Sequence, residues 1–256
     1  GVQTCALPIL NKFISDTGYC SRREADALIA AGKVTVNGQS AEMGLKVGAG
    51  DTVLVDGKPL KNKPKRVYIA YHKPVGITCT TERKVAGNIT DALKYPERIF
   101  PIGRLDKPSE GLIFLTNDGD IVNKVLRAGN AHEKEYVVTV NKPITEQFIK
   151  RMSQGVPILD TVTLPCKVRQ VSRNTFNIIL TQGLNRQIRR MAEFLGYEVV
   201  KLKRTRIMHV RLAELKVGQW RLLDAYEVAE LEQLVQHSST VAHAVTNNAL
   251  NQDHEE

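Results

Sequence analysis

Three strings in this chain hold the residue types that could do chemistry. Gly103-Arg104-Leu105-Asp106 begins the stretch GRLDKPSEGLIFLTNDGD and places a carboxylate in a loop just ahead of an apolar run. Lys134-Glu135-Tyr136 places a tyrosine at the head of a β-branched segment. Leu184-Asn185-Arg186-Gln187-Ile188-Arg189-Arg190 sets three arginines at i, i+3 and i+4, the spacing that shares one helix face. A loop aspartate can simply form a turn. As a chemical group it is a nucleophile or a base. To stay ionised in a closed site it needs a cation, because burial alone would protonate it. A tyrosine ring offers a flat surface for stacking, although tyrosines in strands usually pack in the core.

Nothing in the sequence asks for a metal or a nucleotide cofactor. There is no GxxxxGK[ST] and no His or Cys cluster, and the GAGD string at Gly48 is far too weak for a dinucleotide site. The cysteines, Cys5, Cys20, Cys79 and Cys166, form no CxxC pair. Scattered single thiols fit a reducing cytoplasm. No run approaches the ~20 apolar residues that span a membrane, and no charged start with an apolar core marks a secretion signal. The chain has 256 residues, 42% of them hydrophobic, which is enough to bury a core. Its 36 Lys and Arg against 27 Asp and Glu give a net charge of +9. That balance favours a polyanionic partner, since each cation near a phosphate releases counterions.

Two folded regions must position these strings. In residues 10–57, Leu10, Phe13 and Ile14 suggest a short first helix. Ser21-Arg22-Arg23-Glu24 is a capping box that opens a second, with Ala25, Leu28 and Ile29 on its apolar face and Gly32 at its end. Strands are expected at 33–36 and 52–55, with Asn37-Gly38 and Asp56-Gly57 as turns. Arg22, Arg23 and Lys33 would share a surface suited to phosphates. Residues 58–66, KPLKNKPKR, read as a basic, extended linker. In residues 67–236, strands are expected at 67–71, 113–116, 135–140, 174–181 and 198–202, and helices at 144–153, 186–195 and 225–235. This order predicts an α+β fold: a small N-terminal α/β domain, then a larger mixed-sheet domain. The stretch KLKRTRIMHVR alternates charge with Leu202, Ile207, Met208 and Val210, which suits a strand with one face on a polyanion. Lys201, Lys203, Arg204 and Arg206 would then meet phosphate. The tail, 237–256, is polar, lacks periodicity and is expected to be disordered. Its three acids and no Lys or Arg leave +12 on the rest. Residues 1–9, GVQTCALPI, coincide with the translation of a common sequencing-adaptor primer, so they, and Cys5 with them, are expected to be foreign to the protein.

The string SRREADALIAAGKVTVNG resembles the S-four-type RNA-binding domain. The three chemical strings, with HKPVG at His72 to Gly76, resemble the pseudouridine synthases, in the branch that modifies ribosomal RNA and carries such an N-terminal domain. The resemblance covers nearly all of residues 10–231. It implies an isomerase that converts specific uridines of large-subunit ribosomal RNA to pseudouridine without a cofactor. Asp106 would start cleavage of the glycosidic bond, after which the uracil rotates and rejoins through carbon. Arg189 would form a charge-assisted pair that orients Asp106 and depresses its pKa. A stacked uridine must first be flipped out. Tyr136 would stack on the flipped base, Ile188 would pack on its other side, and Arg104 would fill the gap left in the RNA. Lys73, with Pro74 and Gly76, would shape the site wall; the family pattern has Asn where His72 stands. Of the three clustered arginines, Arg189 is expected to turn inward and Arg186 and Arg190 to meet phosphate. Two further readings stand beside this one: the same chemistry on transfer RNA, and a ribosomal-RNA-binding protein without chemistry. Intact Asp106, Tyr136 and Arg189 argue against the second. The expected state is a cytoplasmic monomer with no membrane contact.

Overall fold

A computed structural model describes residues 6–127 and 132–236. The expected tail disorder and the foreign character of Cys5 lie outside these residues.

The chain divides into two compact units. The first comprises residues up to Val67 with the short segments Pro96–Arg98 and Asn117–Gly119. It contains α1 (Leu10–Asp16), α2 (Arg22–Ala30), β1 (Val34–Val36), β2 (Gln39–Ser40), β3 (Val53–Val55) and β4 (Lys58–Pro59). The strands form an antiparallel sheet in the order β2-β1-β3-β4. Leu10, Ile14, Ala25, Ile29, Val34 and Val55 form its core. The capping box is present: Ser21 Oγ accepts from Glu24 N at 3.1 Å, and the Glu24 carboxylate accepts from Ser21 N at 2.7 Å. Asn37 and Gly38 both have positive φ, as a tight hairpin turn requires. The linker begins later than its composition suggests. Lys58 and Pro59 pair with β3 at the sheet edge, where a proline is tolerated. Residues 8 and 9 touch the unit through backbone atoms, which any residue type provides: Val47 N donates to Pro8 O at 3.0 Å, and Ile9 bridges Lys46.

The second unit carries the three chemical strings. Its elements are β5 (Tyr68–Lys73), α3 (Ile89–Leu93), β6 (Phe100–Ile102), β7 (Glu110–Thr116), α4 (Gly119–Arg127), β8 (Lys134–Val140), α5 (Glu146–Gln154), β9 (Pro157–Ile158), β10 (Thr161–Val162), β11 (Lys167–Ser172), β12 (Thr175–Leu180), α6 (Gln187–Phe194), β13 (Val199–Ile207), β14 (Val210–Arg211) and β15 (Trp220–Leu222), then a helix at residues 225–236. A nine-stranded sheet runs β11-β12-β8-β13-β7-β5-β15, with β14 on β13 and β6 on β7. The β13–β7 pair is parallel and the others are antiparallel, so the sheet is mixed, as expected. β5 and β7 are buried along their whole length, which is why they read as continuous apolar runs rather than alternating ones. β7 starts three residues ahead of its β-branched signal, at Glu110-Gly111. Gly111 has φ +122°, and a Cβ there would come within 2.3 Å of Arg204 O. Only glycine lets β13 approach at that point.

Candidate active site

Asp106 lies half-buried in the loop between β6 and β7. Gly103 opens that loop with φ +77°, a conformation that glycine adopts without cost. The loop is fastened from behind by the His72–Gly76 segment. Gly76 N donates to Lys107 O at 2.8 Å. The fully buried Lys73 ammonium donates to Pro74 O and Ile77 O at 2.9 Å each and to Lys107 O at 3.5 Å. The Cys79 thiol donates to Leu105 O at 3.2 Å, while Leu105 N donates to Cys79 Sγ at 3.4 Å. Burial holds the Lys73 pKa below the usual lysine range, opposed by the neighbouring charge of Asp106. Lys73 therefore does not line the cleft as a substrate contact. Buried from water, it must satisfy its donors on carbonyls, and those carbonyls belong to the loop that carries Asp106.

A cleft of about 540 Å³ opens over Asp106. His132, Lys134 and Tyr136, two residues apart, all line it, as alternation along a strand requires. Tyr136 is 9% exposed and sits opposite Arg204 in the β8–β13 pairing. α6 contributes Ile188 and Arg189, both buried. Arg104 and Arg186 line the cleft too and are exposed. Asp106 is the one carboxylate among the described lining residues, against Arg104, Lys134, Arg186, Arg189 and Arg204. None of these five makes an ion pair within 4.0 Å among the described residues.

Arg189 turns inward, yet the expected pair with Asp106 is not made. Its Nη2 donates instead to Ser109 Oγ at 2.9 Å and Pro108 O at 3.3 Å. The guanidinium approaches from α6, and these atoms at the start of β7 meet it first. Burial and the neighbouring Arg186 hold its pKa below the usual arginine range, while the charge of Asp106 pulls the other way. Its Nε has no partner among the described residues. The three arginines do not share one helix face, because α6 begins at Gln187 and Arg186 is its cap, with φ +49°. Arg190 is drawn back onto Asn185, donating to its backbone O at 3.0 Å and its Oδ1 at 3.1 Å.

A lone carboxylate, a recessed aromatic ring and a cationic surround can hold a nucleotide and attack it or remove a proton from it. Comparison with known proteins decides the lineage. Residues 67–194 match the family model for RNA pseudouridylate synthase, and residues 10–53 match the S4 domain. The chain belongs to the RNA pseudouridylate synthase family. It is 56% identical to the dual-specificity RNA pseudouridine synthase RluF of Salmonella typhi, over 91% of this chain and 81% of that one. It is 38% identical to the ribosomal large subunit pseudouridine synthase B of Bacillus subtilis, over 89% and 97%. A crystal structure of a pseudouridylate synthase matches with a TM-score of 0.63 and 26% identity, covering 88% of this chain and 99% of that one. The expected activity and α+β fold are thereby borne out.

The other expected RNA contacts of this synthase divide by exposure. Arg22, Arg23 and Lys33 are exposed on the first unit, with Lys33 4.0 Å from Asp56. Lys201 is exposed, 3.3 Å from Glu110, and Lys203 is half-buried. Arg204 is only 5% exposed and donates to Leu112 O at 2.7 Å and Arg104 O at 3.5 Å. Arg206 is held by Glu135 at 2.7 Å and Glu133 at 3.1 Å. Arg204 is spent on carbonyls and Arg206 on two carboxylates, so neither is offered to an outside phosphate. His72 is buried, with Nδ1 2.8 Å from Leu215 O and Nε2 3.5 Å from Glu110. Sequence reasoning missed Lys134, His132, Gln187 and Cys79. Lys134 was legible in principle, because it stands two residues from Tyr136 and so shares its face; Cys79 depends on a contact with Leu105, 26 residues away. No group of three or more metal-ligating side chains occurs among the described residues, and no described helix is long and apolar enough to cross a membrane.

Proposed function

We propose that the protein isomerises a specific uridine of large-subunit ribosomal RNA, acting as a cytoplasmic monomer. The observation that carries this reading is Asp106 standing alone as carboxylate in a cleft lined by Tyr136 and five Lys or Arg. Asp106 acts on the ribose or ring of the flipped nucleotide. Tyr136 stacks on the uracil, Ile188 packs on its other side, and Arg104 fills the space the base leaves. Arg189, held by Ser109 and Pro108, supplies positive potential beside Asp106 without a direct bond to it. Arg186 and Arg190 meet the flanking phosphates. The first unit docks on structured RNA through Arg22, Arg23 and Lys33. Large-subunit RNA is favoured by the name of the Bacillus subtilis relative. The "dual-specificity" in the name of the Salmonella typhi relative makes transfer RNA the second substrate to test.

The test is tritium release from RNA labelled at carbon 5 of uridine, with large-subunit ribosomal RNA and transfer RNA run side by side. Release from ribosomal RNA supports the reading. Release from transfer RNA alone overturns the substrate assignment, and no release from either overturns the function.

A further inference from the structure

Two cations on the cleft floor lack a carboxylate to neutralise them. Lys134 and Tyr136 face the cleft from the same side of β8. The ladder neighbours of Lys134 are apolar: Leu180 on β12 and Ile207 on β13, both of which also line the cleft. The ladder neighbour of Tyr136 on β13 is Arg204. Among the described residues the Lys134 side chain makes no hydrogen bond and no ion pair within 4.0 Å, and the Arg204 side chain bonds only to backbone oxygens. The Lys134 pKa is drawn below the usual lysine range, first by burial and then by the charge of Arg204. An ammonium in an apolar row beside a second cation is favourable only when negative charge occupies the space above it. Backbone phosphates have an exposed partner in Arg186. The floor beside Tyr136 is where the base itself lies.

We propose that Lys134 is a catalytic residue that stabilises the uracil anion as it leaves the ribose. This rests on the synthase reading above. When the C1′–N1 bond breaks, its electron pair goes to the uracil, and the charge spreads over N1, O2 and O4. Lys134 Nζ keeps its proton and donates an N–H to a ring carbonyl oxygen, so its interaction strengthens only as the charge develops. The ring then turns and C5 bonds to C1′ with a ring electron pair. C5 loses its proton and N1 gains one, so the product is an isomer of the substrate. The role is the same whether Asp106 adds to C1′ or removes a ribose proton, because the base departs with the pair either way.

The test compares wild type, Lys134→Met and Lys134→Arg in single turnover on large-subunit RNA containing uridine or, throughout, 5-fluorouridine. Fluorine makes the ring a better leaving group but blocks loss of a C5 proton. The readout common to both RNAs is therefore conversion of N-glycosidic to C-glycosidic nucleoside in digests. On uridine, Lys134→Met slows conversion by about 10²-fold, the usual cost of removing one donor aimed at developing charge, while RNA affinity stays within about threefold. On 5-fluorouridine that penalty shrinks about tenfold or more, because a better leaving group needs less help. Lys134→Arg keeps most of the rate and shows that the methionine variant fails through charge rather than fold. Equal penalties on the two RNAs, or an effect on affinity alone, would make Lys134 a phosphate contact and overturn the proposal. An unchanged rate in Lys134→Met would overturn it as well. A wild type inactive on both RNAs removes the synthase reading itself.

Discussion

Among the described residues, Asp106 stands in the cleft without a hydrogen-bonded cation. Its setting is electrostatic rather than paired: five Lys or Arg share the cleft with it, and the inward-facing guanidinium of Arg189 is tied to Ser109 and Pro108. A carboxylate left unpaired keeps its lone pairs for substrate. Asp106→Asn preserves shape but removes the charge. Tritium release should fall by more than about 10⁴-fold, as when a nucleophile or base is deleted, and RNA affinity measured by filter binding should hardly change. Activity retained in that variant would take Asp106 out of the mechanism.

At the scale of elements, the site depends on two close approaches. The first is at Gly111, where β7 and β13 run parallel with no room for a side chain. Gly111→Ala meets both backbone overlap and an unfavourable φ, so we expect a loss of about 3 kcal/mol or more. Thermal melting should show it as a fall of several degrees, on the order of 2–4 °C per kcal/mol. The second is the Glu135–Arg206 pair that locks β8 to β13 at 2.7 Å. The bond from Arg206 is the main cause holding the Glu135 pKa below the free value of 4.5. A depressed folded pKa gives stability that is fully present above the unfolded value and lost as pH falls through the folded one. Glu135→Gln should therefore cost about 1–3 kcal/mol near neutral pH. Its melting temperature should converge with that of wild type as pH falls below 4.5. A gap that stays constant down to pH 3 would show that charge on Glu135 contributes nothing.

At the scale of the whole molecule, a net charge of +9 must be spread where RNA can meet it. On the first unit Arg22 and Arg23 are exposed at the start of α2. Each phosphate neutralised on a single strand adds about −0.7 to the slope of log affinity against log salt, and about −0.9 on a duplex. Replacing both with alanine should flatten the slope for large-subunit RNA by about 1 to 2. The rate of bound RNA should be unaltered in single turnover, because neither residue lines the cleft. An unchanged slope would place RNA docking on another surface.

What the sequence determined alone was everything set by local pattern. The capping box at Ser21, the Asn37-Gly38 turn and the apolar β5 and β7 follow from propensity, turn chemistry and periodicity, which act over a few residues. The lineage was legible for a similar reason: Gly103 to Asp106, Tyr136 and the Gln187–Arg190 run are short strings of unusual type. The tertiary structure decided the roles of the cations. Lys73, Arg204 and Arg206 look alike in sequence, as basic residues of basic stretches. Yet one fastens the Asp106 loop, one braces the cleft floor from inside the sheet, and one closes an ion pair between strands. Which of these a basic residue does depends on where a strand falls in the sheet order, and β13 pairs with β8 and β7, which lie far away in the chain. Charge is a property of the residue, but the partner that meets it is supplied by the fold.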